Sequence, residues 1–187
     1  VYFVNHHLTH AANAFFLSPF EEAAILTADW RGEFECMNAG MGAGSTINIH
    51  QRQVMPDSLG MFYATFTELL GYKPDNDEWK VMALSAFNVD CQDQIKKIRS
   101  TIHLSEDGTL RLDQSYYKGA LVDQPNLYTN RLVKLLGGRV GHRNHEPDGW
   151  TISVAKAMQI VSEEIATHFL LHLHSQTKQS RVVLGGG

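Results

Sequence analysis

The chain has 187 residues, of which 43% are hydrophobic and 19% are charged, and its formal net charge is −4. These values are typical of one folded globular domain and exclude a disordered tail. No Lys/Arg-rich stretch indicates nucleic-acid binding, and the longest apolar run is too short to span a bilayer. We therefore expect a cytoplasmic protein that contacts neither nucleic acid nor membrane, with Cys36 and Cys91 as buried thiols.

The first predicted elements are a short buried strand at residues 1–4 and a histidine-rich helix that ends before Ser18. His6 and His10 are four residues apart, so a helix places both imidazoles on one face, where they can bind a single cation. His7 points elsewhere. The alternative is a polar helix start with chance histidines, and the spacing alone does not decide between the two interpretations.

Three predicted strands follow, at residues 21–29, 34–39 and 45–51. A tight turn at residues 30–33 and a glycine-rich segment at residues 40–44 connect them, which predicts an antiparallel meander. Asp29 ends the first of these strands, where open α/β sheets place ligands, and it could add a carboxylate to the two histidines. An aspartate that merely starts a turn is the simpler interpretation.

The rest of the chain is predicted to be mainly helical. We expect helices at residues 58–70, 75–87, 90–100, 125–136 and 150–176, a hairpin at 101–113, a surface loop at 138–149 and a buried strand at 181–184. Ser58 is the predicted N-cap of the first of these helices, and Gly71 its end. Without an internal linker, this order predicts one α/β domain with a mixed sheet.

Two further features suggest ligands. Gly185, Gly186 and Gly187 follow the last strand, and glycines there let the backbone approach a phosphate or nucleotide, although many glycine runs are only turns. Lys80 follows acidic residues on a predicted helix and is interpreted as an anion ligand or a solvated charge. The histidines of the long helix are interpreted as packing or surface residues: His168, His172 and His174.

Several motifs occur in an order that is typical of one family. Residues 6–24 (HHLTHAANAFFLSPFEEAA) match the pattern HHxxHAxxAFxxSPFxxAA. Residues 58–60 (SLG), 70–74 (LGYKP) and 77–84 (DEWKVMAL) follow the pattern SLG…LGFKPxxDEGKVMGLA, and residues 183–187 (VLGGG) are similar to LxGGV. Across nearly its whole length the chain therefore resembles the O-carbamoyltransferases, the relatives of nodulation protein U and of the antibiotic carbamoyltransferases acting on tobramycin and cephamycin.

The resemblance implies an actin-like ATPase fold of two ribonuclease-H-like halves, with a mixed sheet, an antiparallel three-strand meander and flanking helices. Residues 1–187 would be a fragment of the metal- and nucleotide-binding N-terminal domain, without the rest of that domain and without the C-terminal domain that forms carbamoyl adenylate. It implies a divalent metal at His6, His10 and Asp29, with iron as the first choice and zinc or manganese left open, and a further family aspartate beyond residue 187. It also implies nucleotide contacts for the three final glycines and a catalytic, charge-stabilising role for Lys80.

In that family, carbamoyl phosphate and ATP give carbamoyl adenylate, whose carbamoyl group passes to a hydroxyl of a sugar, antibiotic or other small acceptor. We expect such an enzyme here, inactive as a fragment, with the missing polypeptide as its partner and with a homodimer left open. Trp30 and Trp79 replace family glycines near the implied nucleotide cleft, so acceptor choice or nucleotide approach is expected to differ. The alternatives are a relative that modifies tRNA or matures hydrogenase, and a catalytically silent ATP-binding scaffold.

Overall fold

The computed structural model describes residues 1–118, 126–142 and 146–187, which form six helices and six strands. In chain order these are α1 (His6–Phe16), β1 (Glu22–Gly32), β2 (Glu35–Ala43), β3 (Thr46–Val54), α2 (Leu59–Leu69), α3 (Glu78–Ser85), α4 (Gln92–Arg99), β4 (Ile102–Leu104), β5 (Leu110–Leu112), α5 (Asn130–Leu135), α6 (Gly149–Thr177) and β6 (Val182–Gly185). None of the helices so described is both long and apolar enough to cross a membrane.

The described residues divide into two compact units. The first contains Val1–Gly60, Leu104–Leu110 and Ala166–Gly187, and the second contains Met61–His103 and Arg111–Ile165. Cys36 lies in the first unit and Cys91 in the second, and both are buried free thiols, as predicted.

The first unit is built on a four-stranded sheet with the strand order β3-β2-β1-β6. β1, β2 and β3 pair antiparallel in sequence order, and β6 pairs with β1 in parallel. The predicted meander, the mixed sheet and the α/β class are therefore confirmed. β1 takes an interior position because its segment 23–27 (AAILT) is almost entirely apolar and is buried throughout.

Helix α1 packs on one face of this sheet through His7, Ala11 and Phe15, which recur every four residues and are all buried. Gly42 makes room for the helix, since a Cβ at residue 42 would lie 2.6 Å from the Phe15 ring. Gly42 pairs with the start of β1, whereas His7 contacts Thr27 further along that strand. The helix therefore runs antiparallel to β1, and its first turn lies at the carboxyl end of the strand.

Two predictions on the connections of the meander are wrong. The predicted turn at residues 30–33 is still part of β1 up to Gly32, and the chain turns at Glu33, whose φ is +50°. The glycine-rich segment at residues 40–44 is not a connection, because β2 continues to Ala43. Gly40 and Gly42 allow neighbouring elements to approach β2 closely, β3 at Gly40 and α1 at Gly42. The turn follows at Gly44.

Two predictions on the ends of the chain are also wrong. Residues 1–4 form no strand and are exposed, and β1 already has β2 and β6 as its neighbours. Strand β6 is not buried: Val183 is covered, while Val182 and Leu184 are exposed. Side chains alternate along a strand, so Val183 packs in the core with Ala11 and Phe15 of α1 while its two neighbours point to the opposite face of this strand, which is an edge strand within the described residues.

The second unit contains the helices α2 to α5 and the first part of α6, close to the predicted positions. Gly71 ends α2 with a φ of +87°, as predicted. α3 begins at Glu78 rather than at residue 75, because the Glu78 carboxylate accepts hydrogen bonds from the backbone N–H groups of Asp75 and Asn76. The predicted helix at residues 125–136 is wrong in its first part. α5 begins only at Asn130, because the chain before it pairs through Tyr128 with Tyr117, and residue 125 lies outside the described part of the chain.

Asp148 stabilises the start of α6. Its carboxylate accepts hydrogen bonds at 2.9 Å from both the backbone N–H and the hydroxyl of Thr151, and it pairs with Arg139. The hydrogen bond from the Thr151 N–H, followed by the Arg139 contact, lowers the pKa of Asp148 to about 2. Asp148 is therefore ionised as an N-cap at neutral pH.

We expect Asp148→Ala to lower the free energy of unfolding by about 1 kcal/mol near neutral pH, measured by urea denaturation. Asp148→Asn keeps a hydrogen-bond acceptor and should lose less. Because folding lowers this pKa, the contribution of the carboxylate is complete above pH ~4 and is lost as the pH falls towards the folded-state pKa. The difference between wild type and Asp148→Ala should shrink over that interval, and a growing difference would contradict the assignment.

Candidate metal centre

Three side chains from α1 and β1 converge at the carboxyl end of β1. His6 Nε2 lies 2.8 Å and His10 Nε2 3.1 Å from Asp29 Oδ2, and the two imidazole nitrogens are 2.9 Å apart. In the described part of the chain, no other set of three His, Cys, Asp or Glu side chains places its ligand atoms close enough to share an ion. The structure thus brings the three predicted metal ligands together, and their occupancy by a metal stays a prediction.

The spacing of the three donor atoms fits a metal ion. Ligands about 2.1 Å from an ion and at right angles to one another are about 3.0 Å apart. The observed separations of 2.8, 2.9 and 3.1 Å lie close to this value. Two imidazoles and one carboxylate on one side of an ion leave its remaining positions open, a set typical of iron(II) and also compatible with zinc or manganese.

The carboxylate of Asp29 is oriented by its own strand end. Its Oδ1 accepts a hydrogen bond of 2.6 Å from the Trp30 backbone N–H, which leaves Oδ2 facing the imidazoles. Partial burial raises the pKa of Asp29, but the hydrogen bonds from His6, Trp30 and His10 outweigh it, and the pKa is lowered overall. Asp29 is therefore available as an anionic ligand.

Ser58 holds the backbone on either side of this carboxylate. Its buried hydroxyl lies 2.7 Å from the Trp30 carbonyl oxygen and 3.2 Å from that of Asp29. Gly60 allows the approach, since a Cβ there would lie 2.6 Å from the Trp30 backbone. From the sequence, Ser58 was predicted only as a helix cap, and its contact with β1 was missed. The strand pattern and the helix pattern, taken separately, do not reveal a contact between the two elements.

The three candidate ligand side chains are partly accessible. Those of His6, His10 and Asp29 are 39%, 29% and 20% exposed in this chain, so solvent reaches each of them. Gly32 lies against the covered side of His6, because a Cβ there would overlap the imidazole. The arrangement combines three converging donor atoms with partial exposure in this chain.

His7 is the histidine of the first motif whose place the sequence left undefined. It is fully buried, and its Nε2 lies 3.1 Å from the Glu35 carbonyl oxygen. Since a carbonyl oxygen only accepts, Nε2 carries the proton, and Nδ1 accepts a hydrogen bond of 2.8 Å from the Thr27 hydroxyl. Burial lowers the pKa of His7, consistent with this neutral form. Its four-residue spacing from Ala11 and Phe15 is the signal that could have indicated burial.

The final glycines lie beside the same site. A Cβ at Gly185 would lie 2.9 Å from the His10 carbonyl oxygen, and one at Gly186, whose φ is +123°, would overlap the Ala28 carbonyl oxygen. A Cβ at Gly187 would have Asp29 Oδ1 as its nearest neighbour, at 3.9 Å. Close approach of protein backbone is therefore reason enough for glycine at residues 185 and 186. Nucleotide binding by the three glycines stays a prediction.

Lys80 lies on α3 in the second unit, next to an acidic and an aromatic side chain. Its Nζ is 2.7 Å from Asp77 Oδ1 and 5.4 Å from the centre of the Trp79 ring. This ion pair is partly exposed, and Trp79 is largely exposed. A catalytic role for Lys80 stays a prediction.

The histidines of α6 that lie in the first unit have packing or surface contacts, as expected: His168 with Ser105, His172 with Gly108 and His174 with Gln179.

Comparison with known families decides where this chain belongs. A family model described as carbamoyltransferase N-terminus matches residues 1–187, the whole of the chain. The chain belongs to the carbamoyltransferase N-terminus family. The resemblance stated from the motifs is thereby confirmed.

Individual proteins similar to this carbamoyltransferase-family chain include two nodulation proteins. An uncharacterized protein of Synechocystis sp. is 30% identical over 99% of the chain, and nodulation protein NolO of Bradyrhizobium diazoefficiens is 29% identical over 98%. Nodulation protein NolNO of Sinorhizobium fredii is 40% identical over 46% of the chain. The matched parts make up 30%, 31% and 12% of these three proteins, so the chain spans less than a third of their length.

Proposed function

We propose that this chain is the metal-binding part of an O-carbamoyltransferase and that His6, His10 and Asp29 hold one divalent ion, Fe²⁺ in preference to Zn²⁺ or Mn²⁺. The observation that carries the proposal is the convergence of two imidazole nitrogens and one carboxylate oxygen within 3.1 Å of one another. It occurs in a chain of the carbamoyltransferase N-terminus family. The proposed fold is that of the actin-like ATPases, supported by a meander followed by a parallel strand on the β1 side.

The proposed reaction is transfer of a carbamoyl group to the hydroxyl of a small acceptor, from carbamoyl phosphate and ATP through carbamoyl adenylate. When bound, a divalent ion supplies Lewis acidity toward a carbonyl or hydroxyl oxygen. His6 and His10 contribute neutral nitrogen donors, and Asp29 contributes one negative charge, so the site retains a net positive charge. The Trp30 N–H fixes the carboxylate before any substrate arrives, which lowers the cost of organising the site.

The other chemical roles are proposed from position. Gly185 to Gly187 lie beside the donor set, next to His10 and Asp29, where a nucleotide could be bound close to the reacting carbonyl. For Lys80 we propose stabilisation of phosphate charge, and its ammonium group is already held by the Asp77 carboxylate. Trp79 is largely exposed beside it, where it could alter the approach of an acceptor or nucleotide.

A silent ATP-binding scaffold is the alternative of another class. A scaffold has no need of three donor atoms that converge on one point, of a carboxylate held by a backbone N–H, or of open access to them. The retained geometry therefore favours the enzyme over the scaffold. Since the chain spans less than a third of its curated relatives, we also propose that turnover needs further polypeptide.

Turnover with carbamoyl phosphate, ATP and a panel of sugar, antibiotic and tRNA acceptors tests this proposal, with mass detection of the carbamoylated product. We expect no product from the 187-residue chain alone, and product from a polypeptide that extends it to the length of its relatives. His10→Ala in the longer polypeptide should remove the product. Turnover by the chain alone would refute the need for further polypeptide, product from tRNA alone would favour the tRNA-modifying relatives, and no product with any acceptor would favour the scaffold.

A further inference from the structure

We propose that His7 is a positioning residue, which sets the distance between the two metal-binding imidazoles and the metal-binding carboxylate. The inference rests on the metal site proposed above and assigns a role to the one histidine of the first motif that contributes no donor to it. His7 lies between the two ligands on α1, and its ring centre is 5.5 Å from that of His6 and 6.1 Å from that of His10.

The contacts of His7 join the helix to the strand that carries Asp29. Nδ1 accepts a hydrogen bond from the hydroxyl of Thr27, two residues before Asp29 on β1. Asp29 lies where the pairing of β1 with β2 is irregular, but its carboxylate, like the Thr27 hydroxyl, contacts side chains of α1. The hydrogen bond from Thr27 therefore spans the same gap between helix and strand as the metal site does. Nε2 donates to the Glu35 carbonyl oxygen on β2, which ties the first turn of α1 to a second strand.

Apart from the packing of the His6 ring on Gly32 and an exposed hydrogen bond of 3.4 Å from the His6 backbone N–H to the Glu33 carboxylate, little fixes the first turn of α1. Asn5, Leu8 and Thr9 are exposed, and the next fully buried side chain along the helix is Ala11, one turn after His7. The amide of Asn5 reaches the Glu35 carboxylate at 3.2 Å, but this contact is exposed to water. The buried hydrogen bonds of His7 are therefore the main restraint on the part of the helix that carries His6 and His10.

A metal site is sensitive to a restraint of this kind. Ligands must be held within about 0.5 Å of their working positions, and residues that position ligands typically change metal affinity by about 10- to 100-fold. A helix anchored only through Ala11 and Phe15 keeps its fold but allows its first turn to move away from β1. Loss of the His7 contacts should therefore weaken metal binding more than it weakens the fold.

The test is a Co²⁺ titration of a polypeptide that extends this chain to the length of its relatives, followed by visible absorption, together with the melting temperature of the metal-free protein. We expect His7→Leu and Thr27→Val each to weaken Co²⁺ binding about 10- to 100-fold. His7→Gln keeps a donor for the Glu35 carbonyl oxygen and should recover part of the loss. Thr27→Val is nearly isosteric and folds most readily, so it decides the matter if His7→Leu does not fold.

Phe15→Leu is the matched control, because it weakens the same buried face of α1 without touching His7. It should lower the melting temperature yet change Co²⁺ affinity less than about threefold. The inference is overturned if Phe15→Leu loses as much affinity as Thr27→Val at an equal drop in melting temperature, or if Thr27→Val binds Co²⁺ like the unmodified longer polypeptide. Absence of Co²⁺ binding by the unmodified longer polypeptide would overturn the proposed metal site itself and the role of His7 with it.

Discussion

Replacement of His10 by alanine should reduce the affinity of the chain for a divalent metal by at least about 100-fold, beyond the range typical of residues outside the ligand set. His10 Nε2 is within 3.1 Å of both other donor atoms, and its removal leaves one imidazole and one carboxylate. Two donors on a partly exposed surface hold a divalent ion weakly, because water competes for the remaining positions. Metal analysis after equilibrium dialysis against Fe²⁺ without oxygen, or against Zn²⁺, measures the change.

Asp29→Asn tests the same site without a change of shape. The amide can still occupy the position near the Trp30 N–H, but it lacks the negative charge that offsets part of the charge of the ion. We expect a loss similar to that of His10→Ala. His50→Ala is the control, since His50 is an exposed histidine of the same sheet and should change nothing. Unchanged affinity in both site variants, or an equal loss in the control, would contradict the assignment.

The largest expected effect on stability comes from Gly40→Ala. Gly40 is buried within β2, and an added Cβ would overlap the carbonyl oxygen of Asn48 and lie 2.9 Å from the Cα of Ile49. Both contacts are with the backbone of β3, at the place where the register of the two strands shifts. Because a strand cannot move aside as a flexible side chain can, we expect a loss of about 3 kcal/mol, the upper part of the usual range for overpacking.

Gly44→Ala separates this steric effect from a conformational one. Gly44 has a φ of +56°, and a Cβ there would meet nothing within 4 Å. Its replacement should cost about 1 kcal/mol, the penalty of a left-handed backbone for an L-residue. Urea denaturation of both variants gives the comparison. A smaller loss for Gly40→Ala than for Gly44→Ala would show that β3 gives way at the bulge.

The sequence allowed the meander and the long helix α6 to be predicted, because their signals are local. The alternation of residues 45–51 and the breaks on either side of β1 identified the meander, and the long apolar stripe identified α6. The glycines of β2 misled the prediction, since glycine in a sequence indicates a turn. Here Gly40 and Gly42 sit within a strand because β3 and α1 approach them closely, which is a property of the fold and not of the segment.

The metal ligands were predictable to different degrees. His6 and His10 followed from their spacing on a helix, whereas Asp29 was the weaker choice until the family resemblance supported it. The partners of His7 and Ser58 could not be predicted, because they lie on strands 20 to 29 residues away. Such pairs depend on how α1 and the segment after β3 pack on β1, and the hydrophobic periodicity of the sequence does not predict that packing.

The three proposed donors come from a short piece of chain, with separations of 4, 19 and 23 residues between them. The entropic cost of closing such a loop rises only slowly with its length and is small here. The helix and the strand are therefore brought together at a small entropic cost, and the free energy of binding an ion there would add to that of folding. An ion bound there would cross-link α1 to β1 and would therefore contribute to the stability of the fold as well as to chemistry.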